Sequence, residues 1–223
     1  NSVNKFRKLQ KIFKIASGDN NYYELMKKIS ITKKPVIIST GLLDELELKN
    51  LKKKIFKFWK KSFIRKNICL MHCVSSYPTL AKDANLSTIQ YLKNTFNVPV
   101  GFSDHTTGIE VSLAAVALGA SVIEKHFTLD KNMPGPDQKL SLDPSEFLEL
   151  SKKTRLIEKA MGIPRSTIIK SEINFRDNMR KSLGAKSDIM PGTIIKHSMI
   201  SLFRPGMGIP PNIINNIIGR TVK

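Results

Sequence analysis

The sequence predicts an α/β fold of parallel βα units belonging to a (β/α)8 TIM barrel, followed by a small strand-and-turn domain. Three observations predict it. Short apolar runs alternate with helical stretches at spacings of roughly 25 to 35 residues, as βα units require. The runs are apolar on both faces, as parallel strands covered on both sides must be. Each run ends in polar residues, and the carboxyl ends of the strands form the functional rim of such folds.

In order, the strand-like runs are 13–19, 35–41, 68–75, 98–105 and 121–126. The first ends in Ser17-Gly18-Asp19, the second in Ser39-Thr40-Gly41 and the third in His72 to Ser75. The fourth ends in Ser103-Asp104-His105 and the fifth in Glu124-Lys125-His126. Helical stretches are expected at about 22–30, 43–61, 86–96 and 109–118, with a last one at about 144–160. Five strands sharing one rim favour a barrel over an open sheet. A complete barrel needs eight strands and about 250 residues. The chain has 223 residues, begins without Met and enters a strand almost at once. The leading βα units are therefore expected to lie outside it. Residues 1–162 read as the carboxyl-terminal part of a barrel, 163–178 as a polar connector, and 179–223 as the second domain. In the second domain, β-prone pieces alternate with turns at Pro191-Gly192 and Pro205-Gly206.

Composition narrows the function. Apolar residues make up 41% of the chain, enough for a sizeable core and too many for a disordered tail. The longest weakly polar stretch, Val111–Ile123, is too short to cross a bilayer. With no apolar leader at its start, the chain reads as cytoplasmic. The formal charge of +19 points to an anionic partner. Residues 1–100 hold 20 basic and six acidic residues, and nine of the basic ones fall in Lys49–Lys66, which contains no acidic residue. Leu51, Ile55, Phe58 and Trp59 recur there at helical spacing, so the lysines read as the solvated face of an amphipathic helix. A nucleic-acid-binding module is the rival reading of that run, but no RNA-binding or zinc-finger signature accompanies it. Cys69 and Cys73 form no C-x-x-C pair and read as reduced, buried thiols.

Two constellations carry chemistry. His105 and His126 close consecutive strands, which neighbour each other at about 4.8 Å, so both imidazoles can reach one divalent metal with positions left open. The ordinary alternative is two unrelated histidines in a polar rim. Lys14, Ser17, Ser39, Ser75 and Ser103 could line the same rim as a cradle for phosphate or carboxylate. Singly, each serine reads equally well as a cap or turn residue. Asp137, in Pro134-Gly135-Pro136-Asp137, could serve as acid, base or acceptor, or be a plain turn residue. Arg204 reads as a turn arginine, His197 as a surface residue and His72 as a packed histidine.

The pieces FKIASGDNNYYELMKKI, KPVIISTGL, LMHCVSSYPT, the block from Gly101 to Pro144, RKSLGAKSDIMPGTII and RPGMGI resemble, in this order, the sialic acid synthase family. The resemblance covers residues 11–220, and the Gly101–Pro144 block is its most specific part. It implies strands four to eight of a TIM barrel, followed by an incomplete antifreeze-like (SAF) domain. It implies condensation of phosphoenolpyruvate with N-acetylmannosamine or a related bacterial amino-sugar. His105 and His126 would hold Mn2+ or Mg2+. Lys14, Ser17, Ser39, Ser75 and Ser103 would bind phosphoenolpyruvate. Asp19 and Asp137 would face the acceptor and its aldehyde end, with Tyr77 in the same sugar-side loop. Arg204 would reach the sugar across a homodimer with swapped small domains. Neither nucleic acid nor membrane is implied as a partner. Because the family's first three strands supply further site residues, the chain alone is expected to be an inactive fragment. The remaining rival is another metal-dependent barrel enzyme, an aldolase or hydrolase.

Overall fold

In the computed structural model of the protein, residues 2–206 and 208–223 are described. The chain divides into two compact units, Asn1–Gly162 and Ile163–Lys223.

In the first unit, a short helix α1 (Ser2–Phe6) precedes β1 (Phe13–Ile15), α2 (Tyr23–Ser30), β2 (Val36–Ser39), α3 (Glu45–Phe58) and α4 (Lys61–Asn67). Then follow β3 (Ile68–Cys73), α5 (Ser87–Phe96), β4 (Val100–Asp104), α6 (Glu110–Ala117), β5 (Ile123–Lys125) and α7 (Pro144–Met161). The five strands form one sheet in the order β1-β2-β3-β4-β5, and every pairing is parallel. Each helix returns the chain to the next strand, as parallel neighbours require. The sheet is curled. A flat sheet would hold β1 and β5 four strand spacings apart, roughly 19 Å at about 4.8 Å each. Yet Lys14 of β1 and Glu124 of β5 meet at 3.2 Å. The five strands thus form a half-barrel whose inner side carries the rim residues.

The core lies between the sheet and its helices. Ile15, Ile38, Leu70, Val100 and Phe102 from the strands pack with Met26, Leu51, Ile55, Ile89 and Leu92 from the helices. Both faces of β3 and β4 are closed, which is why their sequences read as continuous apolar runs. α3 starts at a capping box in which Asp44 accepts from Glu47 N and Glu47 accepts from Asp44 N. The lysine-rich run is two helices rather than one. Trp59 is extended, and its buried side chain packs edge-on against Phe58, so the chain turns there before α4. Leu48, Leu51 and Ile55 face inward, while Lys49, Lys53 and Lys57 are exposed. Lys52 and Lys54 lay their stems along the surface and set their ammonium groups over the rings of Phe96 and Tyr23.

The second unit opens with α8 (Lys170–Met179), followed by the antiparallel pair β6 (Ser182–Ala185) and β7 (Ile200–Phe203). Much of the stretch expected as a connector, 163–178, is thus helical. α8 buries no residue, so its polar composition carries no amphipathic signal from which a helix could be read. The single bridge Leu183–Ile209 ties a later turn back to β6, and Ile194–Thr221 joins two segments outside the strands. Met207, in the Arg-Pro-Gly-Met-Gly stretch, lies outside the described residues.

Candidate active site

β4 and β5 pair with Ser103 opposite Glu124 and Asp104 opposite Lys125. Side chains alternate along a strand, so Ser103 and His105 share one face, as do Glu124 and His126. Ser103 Oγ donates to Glu124 Oε1 at 2.7 Å and lies 3.4 Å from His105 Nε2. His105 Nδ1 lies 2.8 Å from the Val74 carbonyl oxygen, which can only accept, so Nδ1 carries the proton and Nε2 keeps its lone pair. Burial lowers the His105 pKa, with the Val74 bond opposing, so the ring is neutral at pH 7. The His105 and His126 ring centres lie 5.4 Å apart. His126 is anchored by its backbone carbonyl, which accepts from Leu142 N just before α7.

Tyr77 covers the pair, its ring 4.3 Å from His105 and 5.8 Å from His126, centre to centre. Burial pushes the Tyr77 phenol up, helped by Cys73, Asp137 and Glu124, so it remains a donor. Asp137 Oδ2 stands 3.7 Å from His126 Nδ1, within ion-pair range but beyond a hydrogen bond.

The other half of the site lies at the ends of β1, β2 and β3. Ser17 Oγ and Cys73 Sγ are in contact at 3.0 Å. A Cβ on Gly41 would stand 2.7 Å from both and 3.0 Å from Ser75 Oγ, so three side chains converge on this glycine. Buried Asn20 donates from Nδ2 to the Ser39 and Gly41 carbonyls, at 3.2 and 2.8 Å, and holds that loop open. Ser39 and Ser103 are buried. Lys14 Nζ reaches across the half-barrel to Glu124 Oε1, the oxygen that also accepts from Ser103.

Of the eleven residues singled out from the sequence, nine stand on this side of the first unit: Lys14, Ser17, Ser39, Ser75, Tyr77, Ser103, His105, His126 and Asp137. Asp19 is exposed in the turn after Ser17. Arg204 belongs to the second unit, where its Nε donates to the Met179 carbonyl. Sequence reasoning missed Asn20, Gly41 and Cys73. Glu124 was placed on the His126 face by alternation, but its bond to Lys14 depends on the curl of the sheet.

Two imidazoles with one lone pair fixed by a backbone acceptor match how proteins hold a divalent metal. Among the described residues, no cluster of three or more His, Cys, Asp or Glu side chains forms a closed metal cage.

The curled parallel sheet, with its polar rim at the strand ends, places the first unit in the (β/α)-barrel class. The chain matches the NeuB family over residues 1–166, and it belongs to that family. It is 45% identical to the N,N'-diacetyllegionaminic acid synthase of Campylobacter jejuni, covering 94% of this chain and 62% of that one. It is 36% identical to the human N-acetylneuraminate-9-phosphate synthase, covering 94% and 57%. The crystal structure of the N-acetylneuraminic acid synthetase from Leptospira borgpetersenii superposes with a TM-score of 0.70 at 38% identity, covering 78% of this chain and 60% of that one. The chain thus spans about three fifths of the length of the relatives it matches. No helix among the described residues is long and apolar enough to cross a membrane.

Proposed function

We propose that the chain is part of a cytoplasmic synthase that joins phosphoenolpyruvate to an N-acetylmannosamine-like amino-sugar, giving a nine-carbon 2-keto acid and phosphate for surface carbohydrate. One observation carries the reading: a pair of imidazoles and a lysine–serine cradle share one rim, opposite each other across the curled sheet. The family membership supports it.

Lys14 and the hydroxyls of Ser17, Ser39, Ser75 and Ser103 hold the two anionic groups of phosphoenolpyruvate. Such groups need strong donors because both lose water on entry. Mn2+ or Mg2+ held by His105 and His126 would polarise the acceptor aldehyde. Tyr77 orients the sugar over the imidazoles, with its O–H as donor, and Asp137 accepts from a sugar hydroxyl. Asp19 closes the acceptor side. The enol carbon bonds to the aldehyde carbon, water adds at C2, and phosphate leaves by C–O cleavage. The second unit, as an antifreeze-like domain, caps the barrel of a second copy and presents Arg204 to the acetamido group.

β1 and β5 are the sheet's edge strands, and unpaired edges invite association. The active form is therefore the barrel completed by further βα units, and the chain alone is inactive. The test supplies Mn2+, phosphoenolpyruvate and a panel of N-acetylmannosamine and 2,4-diacetamido trideoxy sugars, with the chain alone and with the completed barrel. Equimolar phosphate and keto acid from the completed barrel only are expected. Phosphate release without sugar would point instead to a hydrolase. Turnover by the chain alone would refute the need for completion.

A further inference from the structure

The register of β4 and β5 sets Asp104 opposite Lys125, one residue before His105 and one before His126. These two side chains point away from the rim. They are closed to solvent, at 0% and 1% exposure, and Lys125 Nζ lies 2.9 Å from Asp104 Oδ2. Burying two charges is costly unless further hydrogen bonds satisfy them. Here they do. Asp104 Oδ1 accepts from Thr106 N at 2.8 Å, and Oδ2 accepts from Ser112 Oγ of α6 at 2.6 Å. Lys125 Nζ also donates to the Thr106 carbonyl at 2.5 Å.

Stability alone does not account for the pair, because apolar residues of similar volume commonly serve a core as well or better. Its bonds have a common destination. Asp104 precedes His105, Thr106 follows it with both backbone groups clamped, and Lys125 precedes His126. The network brackets one imidazole on both sides and joins it to the strand that carries the other.

We infer that Asp104 and Lys125 are a positioning pair that fixes the separation of the His105 and His126 imidazoles. The inference rests on the rim reading proposed above, in which the two rings act together. Neither side chain reaches the rim, so neither is a catalytic residue.

The test uses the whole chain with 13C-labelled histidine. Only four histidines are present, so His72 and His197 serve as internal references. A ring–ring cross peak between His105 and His126 is expected in the unaltered chain. The double variant Asp104→Leu/Lys125→Met removes both charges without leaving one unpaired. It should unfold cooperatively yet lose at least half of that cross peak, and its Mn2+ affinity, read by electron paramagnetic resonance, should fall tenfold or more. The milder Ser112→Ala removes one donor to Asp104 and should shift His105 while leaving His72 in place. A pair that serves stability alone would lower the unfolding temperature and keep the cross peak; that result overturns the inference, as does an unmoved His105 in Ser112→Ala. If the unaltered chain binds no Mn2+ but the cross peak still collapses in the variant, the positioning role stands and the metal reading falls.

Discussion

Lys14 on β1 and Glu124 on β5 sit at opposite edges of a five-stranded sheet, and their side chains meet at 3.2 Å. The contact ties the proposed anion cradle to the histidine pair, because Glu124 also accepts from Ser103, the residue two before His105. The Glu124 carboxylate is the partner of the Lys14 ammonium group.

Lys14→Met and Glu124→Gln should therefore act in opposite directions on anion binding. Both side chains are over a third exposed, at 37% and 41%, so solvent screens the pair and its loss costs about 0–1 kcal/mol. Thermal midpoints should move by less than about 4 °C. Phosphoenolpyruvate affinity, measured by calorimetry, should fall roughly 10- to 100-fold in Lys14→Met, the value of a hydrogen bond to a charged group. It should rise in Glu124→Gln, which removes a competing carboxylate. Parallel losses in both variants would mean that the pair is structural.

Gly41→Ala tests the convergence of β1, β2 and β3. The added Cβ would stand 2.7 Å from Ser17 Oγ and Cys73 Sγ and 3.0 Å from Ser75 Oγ. Overpacking of this kind costs about 1–3 kcal/mol. The expected outcome is a lowered denaturation midpoint with weakened phosphoenolpyruvate binding. A crystal structure with the three side chains unmoved would contradict it.

The strands were legible because most of their residues are apolar and the residues that close them are polar; β5, which reads Ile-Glu-Lys, kept only the second signal. Strand adjacency and facing were legible too: consecutive strands neighbour each other, and alternation puts Ser103 with His105 and Glu124 with His126 on one face each. What stayed hidden depends on bonds across the fold. Asn20 looks like any turn asparagine until its amide is seen bridging the Ser39 and Gly41 carbonyls. Asp104 and Lys125 drew no role from the sequence, since nothing local reveals that they pair and that Ser112 of α6 closes over Asp104. Trp59 breaks the lysine-rich helix for a tertiary reason, the burial of its ring. α8 buries nothing and so left no periodic trace.

His72 should make stability depend on pH. Its Nε2 lies 2.7 Å from the Ala84 carbonyl oxygen, and burial lowers its pKa despite that bond. The folded state holds the ring neutral, whereas the unfolded chain takes up a proton near pH 6.5. Its contribution is therefore complete above about pH 6.5 and lost as pH falls through that value toward the lower folded pKa. His105 has the same sign. Asp143 and Glu146 are shifted down and so lose their contributions only at lower pH, outside this window. The thermal midpoint should drop between pH 7.5 and 5, and more shallowly in His72→Gln, where the His72 share is gone and the His105 share remains. Equal slopes in the two proteins would show that His72 is not the titrating group.

Tyr77 separates two ways of tuning His105. Its ring covers the imidazole at 4.3 Å, while its phenol stays protonated through burial and the negative charge of its neighbours. If the ring supplies the desolvation that lowers the His105 pKa, Tyr77→Ala should move the titration back up toward 6.5. Tyr77→Phe keeps the ring and loses only the O–H, so it should leave that titration in place. Turnover by the completed barrel should then distinguish the two variants differently. Phe removes the donor proposed for the sugar and should lower kcat/KM with the imidazole chemistry intact, whereas Ala should disturb both. Following the His105 ring proton by NMR from pH 4 to 8 reads the first effect without any substrate. An unchanged titration in Tyr77→Ala would assign the desolvation to the strand neighbours of His105, leaving Tyr77 only its proposed role toward the sugar.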